Sequence, residues 1–308
     1  MRYEHLFFGA LVCLVLLSGQ VYADDTLEKE PEVVPDCRYD PSGGGTSTGA
    51  FPNDDVFRPL MADPKQPQFF ATWQTTRGRT GGTSANIGSV AIGENFGFYT
   101  KRQGCNGWQV SLLTGVFSQF NLDAPSTDLI NTDFVVGIPF TWRSENWSTR
   151  VRYYHQSSHL GDEFLLGNPG INRLNLSYEE IEAILSYDYR WARLYAGGGY
   201  LVHREPVRLH RNRAQWGFEV RGPTTPLSMF GTFFDGLFVT PLFGADFKTF
   251  EELDWIINTN VVGGLEWTRD GSFRRFRLML NYYHGYNPYG QFFAQKIESV
   301  GFGMYLAF

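Results

Sequence analysis

From Gln68 to the C-terminus the side chains alternate, large and apolar at one position, polar or small at the next, and this period of two constrains the fold more than any other feature. In 132–142 the even positions Thr132, Phe134, Val136, Ile138, Phe140 and Trp142 are mostly large and apolar, while Asp133 and Gly137 lie between them. In 253–268 the odd series Leu253, Trp255, Ile257, Thr259, Val261, Leu265 and Trp267 opposes Asp254, Asn258, Asn260 and Glu266. The same pattern marks twelve segments: 68–77, 88–101, 107–121, 131–143, 147–159, 174–190, 193–204, 213–221, 237–250, 253–269, 273–286 and 297–308. Most reach the roughly 9–11 residues that a tilted strand needs to cross a bilayer, beyond the ~5–6 usual for soluble strands.

The connections alternate in length as well. Those near Gly104, Glu145, Trp191 and Gly271 are short, and those at 78–87, 122–130, 160–173, 205–212 and 287–296 are longer. Short periplasmic turns and long external loops are the habit of membrane barrels; the long connection at 222–236 on the inner side stands out as an excursion or a missed strand pair. Trp108, Trp142, Trp147, Trp191 and Trp267 fall at the strand ends assigned to the periplasmic interface, where rings with an apolar body and a polar edge form girdles. A secreted β-sandwich would share the alternation but has no need of such a girdle. The reading is all-β: a transmembrane, antiparallel, up-and-down β-barrel of about twelve strands over 67–308.

The ends fix the compartment. Residues 1–23 read as a signal peptide, with Arg2 and His5 before the apolar run 6–17 and Val21-Tyr22-Ala23 as the cleavage site. Residues 24–66, acidic and then rich in proline and glycine, read as an irregular periplasmic N-terminal arm with little to bury. The Gly45-Thr46-Ser47-Thr48-Gly49 match to a nucleophile elbow lacks the strand before and helix after that such a turn requires. A net charge of −6 without a basic face argues against a nucleic-acid partner. Cys37 and Cys105, the two cysteines of the mature chain, are candidates for a disulfide in an oxidising compartment. The final strand, Val300 to Phe308, has one wholly large and apolar face. It resembles the C-terminal signal by which outer-membrane proteins are taken up by the barrel-insertion machinery, which implies that machinery as a partner and the outer membrane as location.

One stretch carries chemistry, Tyr153-Tyr154-His155-Gln156-Ser157-Ser158-His159-Leu160-Gly161-Asp162-Glu163-Phe164. Alternation turns Tyr154, Gln156 and Ser158 into the lumen and His155, Ser157 and His159 toward lipid at the external end of the strand. His and Ser at i, i+2 on one face lie side by side, as a base and its nucleophile must. If the hairpin to 174–190 is symmetric about residue 167, Glu179 stands opposite His155 and orients it; a slip of one residue would present Glu180 instead. His155-Gln156-Ser157 resembles the H-x-S motif of outer-membrane lipid A deacylases, whose active site lies on the outside wall with a glutamate on a neighbouring strand. Those enzymes have fewer strands and a glutamate closer in sequence. The chain as a whole is similar to a bacterial family of unknown function with an H-x-S-S-H-L-G-D-E stretch.

Two function classes remain open. One is a hydrolase of lipid A or phospholipid acyl esters using His155, Ser157 and Glu179, with outer-membrane lipid or lipopolysaccharide as partner. The other is a non-enzymatic barrel, a narrow channel or a structural envelope component. His159, Asp162 and Glu163 are candidates for binding a lipid headgroup or a divalent cation; their spacing fits no zinc site, and no other cofactor is implied.

Overall fold

Alternation closes into a wall of twelve antiparallel strands in the computed structural model, which describes residues 47–307 apart from 53–54, 79–83, 172 and 273. A short strand, β1 (Ser47–Ala50), precedes β2 (Phe69–Gly78), β3 (Ser84–Gln103), β4 (Asn106–Asn121) and β5 (Asp128–Ser144). Then come β6 (Trp147–Leu160), β7 (Leu176–Tyr189), β8 (Ala192–Glu205) and β9 (Asn212–Arg221). The inner excursion holds only the two-residue β10 (Thr225–Pro226) and two 3-10 turns, so no strand pair was missed there. The wall ends with β11 (Leu237–Phe250), β12 (Asn258–Arg269), β13 (Arg275–Tyr286) and β14 (Lys296–Ala307), and β14 pairs with β2 to close it.

Two solvents enforce the pattern. On β5 the buried series Asp133, Val135, Thr141 and Arg143 faces the lumen, whereas Phe134, Val136, Ile138 and Phe140 are exposed on the outside. Ile92, Phe96, Val151, Ile181, Leu185, Leu280, Val300 and Phe302 continue that apolar outer belt on other strands. Water would not tolerate such a surface, and lipid does. Rings pair at the end of the wall that carries the short turns: Tyr99 on Trp108 at 5.7 Å, Trp147 on Tyr187 at 4.6 Å and Trp267 on Phe276 at 5.8 Å.

The first wall strand is broken. β1 pairs with the part of β3 next to the β3–β4 turn (Ser47↔Arg102 to Ala50↔Tyr99) and β2 with its opposite part (Phe70↔Ala91 to Arg77↔Ser84). Between them the chain leaves the wall and enters the barrel, because Pro52, Pro59, Pro64 and Pro67 cannot donate to a ladder. Val56, Phe57, Leu60, Met61 and Ala62 are all buried. Phe57 and Leu60 pack on Ile184 and Tyr195, and Met61 and Ala62 on Leu242, Val262, Met279 and Tyr305. Polar ties complete this plug: Lys65 Nζ to Asp133 at 2.7 Å, Lys248 Nζ to Asp63 at 2.6 Å, the Met61 amide to Glu219 at 2.6 Å, and Arg58 to Asp188. The described part of the supposed periplasmic arm is therefore wall and lumen core. Four prolines with five buried apolar residues fill a cavity as well as a regular element would.

Charged lumen residues are paired, as burial demands. Glu182 takes Arg150 at 2.8 Å and Arg152 at 2.6 Å, and Glu266 takes Arg221 at 2.7 Å and Arg277 at 2.6 Å. Cavities of about 140 and 50 Å³ remain beside the plug. Two local expectations need correction. Residues 253–257 are not strand: 251–253 form a 3-10 turn and Asp254 and Trp255 have left-handed φ of 55° and 57°, so the apolar alternation there runs past the wall into a loop. The segment 174–190 runs one residue past its strand: Arg190 lies exposed in the β7–β8 turn with φ 52°, its guanidinium over the Tyr189 ring.

Candidate active site

The β6–β7 hairpin sets the site. Its register pairs Tyr153 with Ile181, His155 with Glu179 and Ser157 with Ser177, which is the symmetric arrangement about residue 167. Parity then places His155, Ser157 and Glu179 on the outer wall. Glu180 goes inward: it is buried in the lumen, accepts from Tyr154 Oη at 2.6 Å and pairs with Arg213 at 2.7 Å. The lumen network thus locks the register against the slip that would exchange the two glutamates.

On the outer face, His155 Nδ1 lies 2.8 Å from Glu179 Oε1. A carboxylate only accepts, so Nδ1 carries a proton, and in the neutral ring Nε2 then keeps its lone pair, the tautomer a general base requires. Ser157 projects from the same face two residues on, roughly 6.6 Å along the strand at ~3.3 Å per residue. Among the described residues no hydrogen bond joins Ser157 Oγ to His155; the hydrogen bond of His155 is the one to Glu179. Such contacts often tighten only when substrate binds. The other serine of the stretch, Ser158, is spent inside the barrel, where it donates to Asn131 and Asp133.

The surroundings are graded. Below the site, toward mid-membrane, Ile138, Tyr153 and Ile181 form an apolar row across three strands. Phe134 pairs with Ser157 in register and meets the His159 ring edge-on at 5.8 Å. Above, Arg173 Nη2 lies 3.2 Å from His159 Nδ1. Asp162 and Glu163 do not join this group; they are exposed in the first turn of the short helix α1 (Asp162–Gly167), which is anchored by Phe164 on Phe292 at 5.6 Å. No group of three or more His, Cys, Asp or Glu arranged to hold a metal occurs among the described residues.

One residue of the site escaped the sequence: His203, on β8, whose Nδ1 lies 2.7 Å from Glu179 Oε2. Strict alternation along β8 sends Arg193, Tyr195 and Leu201 inward, and His203 with them. The structure departs from parity between Leu201 and His203, where Glu180 pairs with Leu201 but Glu179 pairs with His203, leaving Val202 as an extra residue. No feature of the sequence marks that bulge. Cys105, in the β3–β4 turn, is disulfide-bonded; Cys37, its expected partner, lies outside the described residues, as do the signal-peptide cleavage site and Phe308.

Comparison with known proteins adds a family and a fold. Residues 43–308 match the model of a family described as "Protein of unknown function (DUF1207)". No protein of curated function matches the sequence. Among solved structures, the Salmonella typhi outer membrane phospholipase (OMPLA) dimer with bound calcium aligns at TM-score 0.51 and 10% identity, over 82% of this chain and 95% of that one. An active-site mutant of outer membrane phospholipase A from Escherichia coli aligns at TM-score 0.50 and 12% identity, over 83% and 95%. At such identities the likeness is one of fold.

Proposed function

We propose that this chain, which belongs to the DUF1207 family, is an outer-membrane hydrolase of lipid acyl esters that works from the outside wall of its barrel. The observation that carries the reading is the His155–Glu179 contact on a lipid-facing surface, with Ser157 two residues along the same face. In the mechanism, Ser157 Oγ attacks the ester carbonyl while His155 Nε2 takes its proton. The tetrahedral adduct collapses, the C–O bond to the leaving alcohol breaks, and His155 returns the proton to that alcohol. Water, deprotonated by the same imidazole, then attacks the acyl carbonyl; the bond to Ser157 Oγ breaks, the imidazolium returns its proton to Oγ, and the acyl group leaves as fatty acid. Glu179 holds the imidazole in its tautomer and stabilises the imidazolium formed in each half-reaction.

The gradient around the site suits a lipid standing in the outer leaflet. Acyl chains lie along Ile138, Tyr153 and Ile181, the ester reaches Ser157, and an anionic headgroup meets Arg173 and His159 above. Phospholipid and lipid A both answer that description; the barrel fold shared with a phospholipase favours the former. On this reading the barrel is inserted through its last strand, with Phe308 as part of the signal.

The test pairs chemistry with substrate analysis. Purified protein in detergent micelles, treated with a fluorophosphonate, gains one adduct on Ser157, and Ser157→Ala gains none. Cells carrying the wild-type gene show fatty-acid release or a deacylated lipid species by mass spectrometry that cells carrying Ser157→Ala lack. Lipid profiles that do not change between the two, together with an unlabelled Ser157, overturn the proposal.

A further inference from the structure

Glu179 faces lipid, and a carboxylate there is costly unless both oxygens are met. His155 meets Oε1. Oε2 is sealed from solvent and, among the described residues, accepts no hydrogen bond, and His203 Nδ1 lies at ion-pair distance from it, 2.7 Å. The order across the wall is β6, β7, β8, so one carboxylate sits between two imidazoles on neighbouring strands. Its side chain is only 23% exposed, against 39% for His155 and 64% for His203.

His203 reaches this place by an irregularity that has its own support. The extra residue Val202 makes two successive side chains, Val202 and His203, point outward. A bulge of this kind re-aims one side chain at the cost of a disrupted ladder. Here the carbonyls around the disruption are retied: Arg211 Nη1 donates to Leu201 O at 2.5 Å and to Val202 O at 2.8 Å. Beyond the bulge, parity is reversed, and Arg204 pairs with the lumen-facing Tyr178. A fixed distortion that places one histidine against one carboxylate on the lipid side is a feature that packing alone does not require.

We propose that His203 is a positioning residue for the hydrolase described above: from 2.7 Å away, a small turn of its ring lets Nδ1 donate to the unpartnered second oxygen of Glu179, which fixes the carboxylate toward His155 Nδ1 and so keeps Nε2 of His155 as the base. The inference rests on the acyl-ester reading of the site. A glutamate turns about three side-chain bonds, and a single contact through one oxygen leaves it free to swing; a contact on each oxygen does not. Outer partners of this sort are worth about ten- to hundredfold in activity where they orient a catalytic ligand.

The experiment compares His203→Phe, His203→Asn and Ser157→Ala in micelles, each first checked for a folded barrel by its heat-modifiable mobility on gels. Asn places an amide nitrogen near the position of Nδ1, so it keeps the donor and loses the ring. His203→Phe is expected to lower kcat about ten- to hundredfold with KM little changed, and His203→Asn to recover most of that loss. Nitrogen-15 spectra of His155 supply a readout apart from activity: a protonated Nδ1 in wild type and His203→Asn, and a mixture of tautomers in His203→Phe. If Ser157→Ala abolishes turnover while His203→Phe keeps both kcat and the His155 tautomer, the positioning role is overturned and the hydrolase stands. If wild type shows no turnover and Ser157 takes no fluorophosphonate, the hydrolase reading falls and takes this inference with it.

Discussion

Emptying the plug of its largest buried ring should destabilise the barrel by an amount the structure lets us bound. Phe57 is 2% exposed and packs with Leu60, Ile184 and Tyr195. Its ring also lies beneath two guanidinium groups, Arg193 at 4.5 Å and Arg150 at 5.1 Å from the centroid. Truncation of a buried Phe to Ala costs ~3–5 kcal/mol, and lost cation–π contacts at desolvated sites add about 0.5–2 kcal/mol each. Taking overlap between these figures into account, Phe57→Ala should cost about 4–6 kcal/mol. With a urea slope of ~2 kcal/mol per molar, the unfolding midpoint moves down by about 2–3 M. Phe57→Leu, which keeps most of the volume, should cost only about 1.5 kcal/mol. Barrels refolded into vesicles and unfolded in urea, followed by the fluorescence of the girdle tryptophans, provide the measurement. A Phe57→Ala midpoint within ~0.5 M of wild type would refute the packing of residues 56–62 in the lumen, since ~1 kcal/mol is what a half-exposed ring loses.

Two other perturbations test the charge arrangement. Glu266 is fully buried between Arg221 and Arg277, so Glu266→Ala removes the carboxylate that both guanidinium groups share and should cost ~3–5 kcal/mol in the same unfolding assay; a loss under ~1 kcal/mol would mean that the pair is solvated. In the external rim, Glu251 lies 3.2 Å from His210 and accepts from the backbone and side-chain amides of Asn212, and these contacts hold its carboxyl below the ordinary glutamate range. A depressed value means that the clip is complete above the usual glutamate pKa and is lost as pH falls through the lowered one. Hydrogen exchange at the Asn212 amide should therefore lose protection on acidification, and Glu251→Gln should show a weaker clip already at neutral pH; protection that is equal at both pH values would contradict this.

How much of this was readable beforehand follows from where the information resides. The wall was readable because lipid and lumen impose opposite requirements on successive residues, and each strand reports that contrast within itself. The His155–Glu179 pairing was readable for the same reason, with the hairpin's symmetry supplying the register that Tyr154 and Arg213 then enforce on Glu180. The plug was not: its surroundings are assembled from Asp133, Ile184, Glu219, Met279 and others scattered along the chain, so nothing local distinguishes residues that fill a lumen from residues that trail in water. His203 was unreadable because a single unpaired residue, Val202, reverses parity, and the group that steadies the reversal, Arg211, comes from the following loop. These two hidden features bear on each other. The lumen is packed with its own chain and ties the carboxylates of Glu182 and Glu266 to guanidinium groups, so the polar groups singled out for a functional reading are those on the apolar outer belt. Desolvation makes each of them costly, and four of them, His155, Ser157, Glu179 and His203, are brought together on adjacent strands, the last by a distortion of the sheet. On the proposed reading as a lipid hydrolase, that concentration of cost on the lipid-facing side marks the outside wall as the place of the chemistry.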